Sequence, residues 1–419
     1  MAKSYIRRYK PMIVAITGNT GKTSTKEAIA AVLKEHKRIR VSAGNLNNEW
    51  GVPLNILGDW SGAYYEKGGT LGFWLGVIWK GFWGLGRQKN YPEILVLEYG
   101  AEKPGDIGKL VRDFKPHVAV ITAVGEIPVH VEYFSSPEEL AKEKRKLIET
   151  LTEKDWAVLN ADDEMVSGMR TATKAQVATF GFAEGAHVRI TNFDFKLGST
   201  GEPLGVTFKL HQNESFVPVK IEGSLGKSQA WSAAAAAAVG LIFGINMVES
   251  SSDLALYKGL AGRLKILKGI RHSIIIDDTY NSSPASAHLA LETLKGLTAK
   301  RKIVVLGDML ELGTYSEDAH RSLGNLAGTI ADWIITVGSR AKFIADSAGN
   351  QLPKDRILSF NDSQEAKQKV QELIQEGDLI LVKGSQGMRM EKVVEAVMAD
   401  PDQKKHLLVR QSEKWLNKE

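Results

Sequence analysis

Short apolar runs alternate along this chain with stretches whose apolar positions recur every three or four residues. Residues 12–17, 94–98, 118–122 and 156–160 read as buried strands, and 24–33 and 137–151 as helices. Such alternation predicts a parallel sheet covered by helices. From about 176 to 222 the period drops to two, in VTFKL and FVPVKI broken by Gly, Asn and Pro, which predicts a small antiparallel sheet attached to the same domain. The run SQAWSAAAAAAVGLIFG then predicts a helix, because alanine has the best intrinsic propensity and small side chains allow close packing. After Gly262-Arg263 the alternation restarts, with strands at 273–277, 302–306, 333–337 and 378–382 and helices at 284–294 and 316–327. The expected class is α/β: a phosphate-loop domain over 1–260, with its parallel and small antiparallel sheets, then a Rossmann-like, doubly wound domain over 261–419.

Composition narrows the chemistry. A chain of 419 residues with 43% hydrophobic content supports two or three domains. The formal charge of +5, from 54 basic and 49 acidic residues, suits anionic small molecules and falls short of a nucleic-acid footprint. The basic tail KKHLLVRQSEKWLNKE reads as solvated surface. There are no cysteines, which excludes disulfides, thiolate zinc sites and cysteine nucleophiles, so any metal is held by oxygen or imidazole. The N-terminal MAKSYIRRYKP leads into a strand rather than an apolar signal core, and the expected compartment is the cytoplasm.

The first strand runs into Thr17-Gly18-Asn19-Thr20-Gly21-Lys22-Thr23-Ser24 and a helical pattern follows at once. Glycines at 18 and 21 permit a tight turn with inward N–H groups, the helix directs its positive end at an anion, and Lys22 adds a mobile charge. Thr23 is then placed to meet Mg²⁺, and the ligand expected is a nucleotide. The usual nucleotide loop has a further glycine where this chain has Ile16.

That TGNTGKT variant resembles the ATP loop of the Mur ligases, the amide-forming enzymes of peptidoglycan precursor synthesis. GNLNNEWGVPLNIL (44–57), LEYGAEKPGDI (97–107), VHVEYF (129–134), LNADDE (159–164), DDTYNSSPAS (277–286), LGDMLELG (306–313) and LVKGSQGMRMEKVV (381–394) resemble further motifs of the family, in order. GNLNN, DDTYNSSP and LGDMLELG are most similar to the branch that adds D-alanyl-D-alanine to UDP-N-acetylmuramoyl-tripeptide. That branch carries a domain before the ATP loop that holds the UDP end; about ten residues precede the first strand here, so that domain is expected to be lacking. A Mur-fold ligase for another, lipid-linked or non-UDP substrate and a folylpolyglutamate-synthetase-like enzyme are the alternatives within enzymes, and a nucleotide-binding scaffold without catalysis is a third.

The resemblance implies transfer of the ATP γ-phosphoryl to a muramoyl-peptide carboxylate, then attack of an amino acid or dipeptide amine on the acyl phosphate. It implies catalytic roles for Lys22, Glu98, His130 and Lys144, with Thr23, Glu98, His130 and Lys144 around magnesium and Lys144 carrying a carbamate. As a bare sequence feature Lys144 belongs to a charged, exposed helix face. The resemblance also puts Arg263, Asp278, Tyr280 and Asn281 at the nucleotide. It puts Asn45, Asn47 and Asn48, with Lys383, Gly384 and Ser385, at the substrates. Where this branch shows His-Asn and a later Asn for the adenine, this chain has Ser228, Gln229 and Ser232.

Between GNLNN and the second strand lies LGFWLGVIWKGFWGLG (71–86), in which Lys80 is the one charge. At 16 residues it is shorter than the roughly 20 a spanning helix needs. Its two readings are a helical hairpin packed on its own domain and an amphipathic segment resting on a membrane surface, with Lys80 snorkelling.

Overall fold

Two sheets account for the alternation. The computed structural model describes residues 1–416 apart from 43, 45, 87–89 and 129. The first sheet holds β1 (Met12–Thr17), β2 (Ile39–Val41), β3 (Ile94–Glu98), β4 (Val118–Ile121), β5 (Trp156–Asn160), β6 (Gln176–Gly181), β7 (Val188–Leu197), β8 (Pro203–Gln212) and β9 (Ser215–Glu222). Their order is β2-β3-β1-β4-β5-β6-β7-β8-β9, parallel as far as β7 and antiparallel across β7-β8-β9. The antiparallel strands expected at 176–222 thus continue the edge of the main sheet, and 176–181 pairs parallel to β5. The β6-β7 ladder is only two residue pairs long, Phe180 to Val188 and Gly181 to Arg189, which is how one sheet passes from parallel to hairpin pairing.

The helices of this part are α1 (Ala2–Tyr9), α2 (Lys22–Lys34), α3 (Gly51–Leu57), α4 (Ser61–Lys67), α5 (Leu71–Gly84), α6 (Asp106–Asp113), α7 (Pro137–Glu149), α8 (Glu164–Ser167), α9 (Lys227–Ile242) and α10 (Met247–Leu254). Alternate residues of each central strand point to opposite faces, so two cores form. Val14 and Ile16 of β1 face α2 and α9, where Ala28, Ala31 and Val32 meet the alanine run 233–238. Ile13 and Ala15 face the other way, onto α1, α3, α6 and α7 through Tyr5, Val52, Leu110 and Leu147. The alanines let α9 lie against α2 with no bulky side chain between them, and each of the six is at most 2% exposed.

The second sheet is β10 (Lys265–Lys268), β11 (Ile274–Asp278), β12 (Arg301–Gly307), β13 (Trp333–Val337), β14 (Ile357–Phe360) and β15 (Asp378–Lys383), in the order β10-β11-β15-β12-β13-β14. All its pairs are parallel except β10 with β11. It is flanked by α11 (Pro284–Lys295), α12 (Ser316–Gly328), α13 (Lys342–Ala348), α14 (Ser363–Leu373) and α15 (Glu391–Val397). Ser283 starts α11 with a reciprocal capping box to Ser286, with Pro284 at the first helical position. The carboxyl ends of both sheets carry their loops toward one shared cleft, where open parallel sheets place ligands.

The aromatic segment forms one helix, α5, rather than a hairpin. The tail departs further from its expectation of solvated surface. Leu408 is 5% exposed and packs into a core of the second sheet, and the Arg410 side chain is 5% exposed.

Candidate functional site: a cleft between the two sheets

The cleft begins with the turn after β1. Gly18 and Gly21 have φ of 145° and 86°, values that favour glycine. A Cβ on Gly18 would run into Thr122 and the Ala123 backbone. Asn19 N–H donates to Ala123 O at 2.6 Å, tying the loop to the end of β4. α2 then opens without a capping side chain, so its first-turn N–H groups are left for an anion at the positive end of the helix.

Two lysines meet on this loop. Lys22 Nζ donates to Gly18 O at 2.9 Å, and Lys144 Nζ, arriving from α7, donates to the same oxygen at 3.0 Å. Neither has a carboxylate within ion-pair distance among the described residues. Burial lowers both amines: Lys22 is pushed down by desolvation against the opposing pull of Glu98, and Lys144 well below its ordinary value by desolvation and by Lys22. The expectation of an exposed Lys144 is corrected here, since it is 1% exposed. α7 turns Glu143 inward as well, where its carboxylate accepts from the N–H groups of Gly105 and Ile107 at 2.9 Å each, and that anchor carries Lys144 in with it.

Across the loop, Thr23 Oγ1 donates to Glu98 Oε2 at 3.1 Å and Asn47 Nδ2 to Glu98 Oε1 at 3.1 Å. Glu98 ends β3 and is 3% exposed. A buried carboxylate beside a hydroxyl is a hard-oxygen donor set that fits Mg²⁺, which takes one or two carboxylates and completes its shell with phosphates and water. The other two residues expected at metal make no hydrogen bond to Thr23 or Glu98 among the described residues. Lys144 Nζ is held on Gly18 O, and His130 Nδ1 is 2.7 Å from Glu311 Oε2 of the second unit, which leaves His130 Nε2 as the atom to meet a cation.

The second unit supplies the facing wall. Arg263 Cζ lies over the Tyr280 ring, 3.9 Å from its centroid, and its buried Nε has no hydrogen-bond partner among the described residues. With Lys22, Glu98, His130, Asn281 and Ser385 these two line a cavity of about 480 Å³. Asp278 and Lys383 stay out of it: Lys383 Nζ donates to Asp278 Oδ2 at 2.6 Å and to Asn281 O at 2.9 Å. They fix the turn that presents Tyr280 and Asn281, and with Ser24 they border a small recess of about 30 Å³. Gly384 lets the end of β15 pass Met390 and Gly307, and Ser385 Oγ accepts Leu310 N–H at 2.9 Å. Asn48 accepts the N–H groups of Trp50 and Gly51, a local turn into α3. Asn45 lies outside the described residues.

A second, more apolar pocket of about 240 Å³ opens on the far side of Thr20 and Gly21, between Phe180, Trp231, Ala285 and Leu289. Ser228 and Ser232 line it, whereas Gln229 turns away to Arg263 O at 3.4 Å. A phosphate loop with a polar cleft on one side and a ring-sized apolar pocket on the other has the layout a nucleotide needs. Sequence reasoning missed two contributors. Glu311, in LGDMLELG, faces His130, and Arg410, in the tail, donates to Thr279 O at 2.9 Å, to Tyr280 O and to Glu391 at 3.0 Å, so it braces the same turn from behind.

Residues 85–240 match the Mur ligase middle domain and 262–386 the Mur ligase, glutamate ligase domain. The chain is 32% identical over 406 residues to UDP-N-acetylmuramoyl-tripeptide–D-alanyl-D-alanine ligase of Bacillus subtilis, covering 96% of this chain and 79% of that one. Among solved structures it is similar to MurF from Acinetobacter baumannii, with a TM-score of 0.76 at 26% identity over 94% of this chain and 78% of that one. It is also similar to MurF ligase from Thermotoga maritima in complex with ADP, with a TM-score of 0.75 at 25% identity over 94% and 81%.

Proposed function

The chain belongs to the Mur ligase family, and from that premise we propose that it joins D-alanyl-D-alanine to the tripeptide carboxylate of UDP-N-acetylmuramoyl-tripeptide, in the cytoplasm, with ATP supplying the activation. The proposal follows the relatives' names for its substrates. The observation that carries it is the meeting of Lys22, Thr23–Glu98 and Arg263 around one cleft at the open end of α2.

A carboxylate is a poor electrophile until one of its oxygens becomes a leaving group. Transfer of the γ-phosphoryl to it gives an acyl phosphate, which the dipeptide amine attacks, releasing phosphate. Lys22 and the first-turn N–H groups of α2 hold phosphate oxygens, and Arg263 approaches from the second unit to offset charge developing in the transfer. Bound Mg²⁺ would screen the phosphates; Thr23 and Glu98 would hold it, and His130 would offer it Nε2. Asn47 fixes the Glu98 carboxylate, while Asn48, Gly384 and Ser385 shape the ground on which the two substrates meet and Lys383 holds the turn beside it. Asp278, Tyr280 and Asn281 set the nucleotide side of the second unit. The two sheets contribute opposite walls, so bringing them together both completes the site and keeps water from the acyl phosphate.

Lys144 has a distinct part. Its neutral amine is favoured by burial and by Lys22, and a neutral amine adds CO₂ to give a carbamate anion and a proton. That anion turns an uncompensated pair of amines into a paired one, and gives the cleft a second anionic ligand beside Glu98.

The test is ADP release by the intact chain with UDP-N-acetylmuramoyl-tripeptide and D-alanyl-D-alanine, read beside other muramoyl peptides, lipid-linked and UDP-free carboxylates, folates and single amino acids. Release that needs both the tripeptide and the dipeptide is the expected result. Release driven by another carboxylate, or none with any pair, overturns the reading.

A further inference from the structure

α5 is apolar on two opposite faces. Its inner face, Phe73, Val77 and Gly81, is buried, against Leu54, Leu57, Trp60 and Tyr64. α1 lies along its second half, with Tyr5 Oη donating to Gly81 O and Tyr9 Oη to Gly84 O, each at 2.8 Å. The outer face presents Leu71, Leu75, Ile78, Trp79, Phe82 and Trp83, from 44% to 77% exposed. At 3.6 residues per turn these six fall in one arc of roughly 140°. A globular surface scatters single apolar side chains; a contiguous run of six large ones along three and a half turns marks a contact surface.

The charges around this face select its partner. α5 carries no acid, and its one charge, Lys80, stands between the outer arc and the buried face, 5.3 Å over the Trp60 ring. α1, fastened to α5 by the two tyrosines, carries no acid either and exposes Arg7 and Arg8, followed by exposed Lys10. An apolar stripe of tryptophan, phenylalanine and leucine on a helix without acids, beside a second helix that exposes cations and no acid, matches an anionic lipid surface: rings and aliphatic chains enter the headgroup boundary while the cations meet phosphates. At about 1.5 Å per residue the helix is near 21 Å long, short of the roughly 30 Å hydrocarbon core, so it lies flat. No helix among the described residues is long and apolar enough to cross a membrane.

The geometry points to α5 and α1 as a peripheral docking surface that holds this protein on anionic bilayers, with the ligase cleft left open to solution. This stands apart from the ligase reading, since no residue of the surface lines the cleft.

The experiment is flotation of the intact protein with vesicles of phosphatidylcholine alone and with about a third phosphatidylglycerol, together with tryptophan quenching by lipids brominated in the acyl chain. We expect at least tenfold stronger binding to the anionic vesicles, quenching on binding, and loss of both in Ile78→Glu/Phe82→Glu. Arg7→Glu/Arg8→Glu should weaken binding severalfold and flatten its salt dependence. Far-UV circular dichroism and melting temperature check that both variants fold; Leu75→Ser/Trp79→Ser, with no added charge, serves if the glutamate pair does not. The proposal is overturned if the wild-type chain stays unbound on anionic vesicles. It is equally overturned if the chain is a dimer that these substitutions split while vesicle binding is absent, for the face then belongs to a second copy.

Discussion

Two of the places in this molecule that take lysine side chains out of water are built in opposite ways. At the junction, Lys383 is 1% exposed and meets the Asp278 carboxylate at 2.6 Å, with Asn281 O as a second acceptor. At the phosphate loop, Lys22 and Lys144 converge on a single carbonyl oxygen, that of Gly18, with no carboxylate in ion-pair reach among the described residues. A buried charge is expensive unless paired and hydrogen-bonded. The junction is therefore complete as it stands, and its lysine holds a turn in place. The loop is incomplete: its two amines have no carboxylate in ion-pair reach, so they lose protons easily and are stabilised as ammonium by an added anion, which is the state expected of a site that takes up phosphate.

The contrast breaks first at Lys22. Lys22→Ala should abolish ADP release while the chain still melts cooperatively near the wild-type temperature, because the charge serves the phosphates and not a core. Turnover in a well-folded variant would remove the loop from the chemistry.

Lys144 should come next. Lys144→Met is expected to lose most activity and to be as stable as wild type or more so, since an unpaired buried amine is replaced by an apolar side chain of similar length. Lys144→Ala should regain part of the activity when a small carboxylic acid is added, and wild-type activity should rise with bicarbonate. The pH signature has a definite sign. The folded value of Lys144 lies well below the ordinary 10.5, so between the two the unfolded chain binds the extra proton, and stability rises with pH across that window. Urea titrations at a series of pH values should show that slope flattened in Lys144→Met.

Lys383→Met is the counterpart at the junction. It strands Asp278 without its cation and should cost about 3–5 kcal/mol in urea unfolding. A second substitution, Asp278→Asn, should recover part of that loss. If Lys383→Met were neutral and Lys144→Met severe, the distinction between the paired and unpaired lysines would be inverted.

The sequence makes one of these regions far easier to read than the other. β1, its glycine turn and α2 are legible because an apolar run, two glycines and a helical period stand in immediate succession. Glu98 is legible as the last residue of ILVLE, where a parallel sheet delivers its strand ends. The burial of Lys144 is hidden within PEELAKEKRKLIE, where charge at almost every position suggests a solvated face. What turns it inward is the Glu143 carboxylate accepting the N–H groups at the start of α6, a contact 36 residues away for Ile107. Arg410 is hidden for the same reason. A basic tail looks like surface until Glu391 and the carbonyls of Thr279 and Tyr280 are folded around it. Local pattern reports strands, turns and helix caps; a buried ion depends on which distant acceptors the fold brings to it, and no period carries that.

The smallest effect should come from the pair that lies between these extremes. His130 and Glu311 meet at 2.7 Å across the cleft with side chains 25% and 38% exposed, so water screens them and the pair contributes about 0–1 kcal/mol. The His130 imidazole beside it holds the Glu311 carboxyl below its ordinary value, so this small contribution is present above that ordinary value and lost only as pH falls through the lower folded one. Glu311→Gln should barely move the melting temperature at neutral pH. Its effect should appear instead in magnesium: a carboxylate on Nδ1 orients the ring and raises the basicity of Nε2, and removing such an outer partner weakens metal binding about tenfold or more. ADP release titrated with Mg²⁺ checks this, with the half-saturating concentration expected to rise while the fold is unchanged. Superimposable magnesium curves with a lowered melting temperature would make the pair a contact between the two units and nothing more, and His130 would leave the metal site.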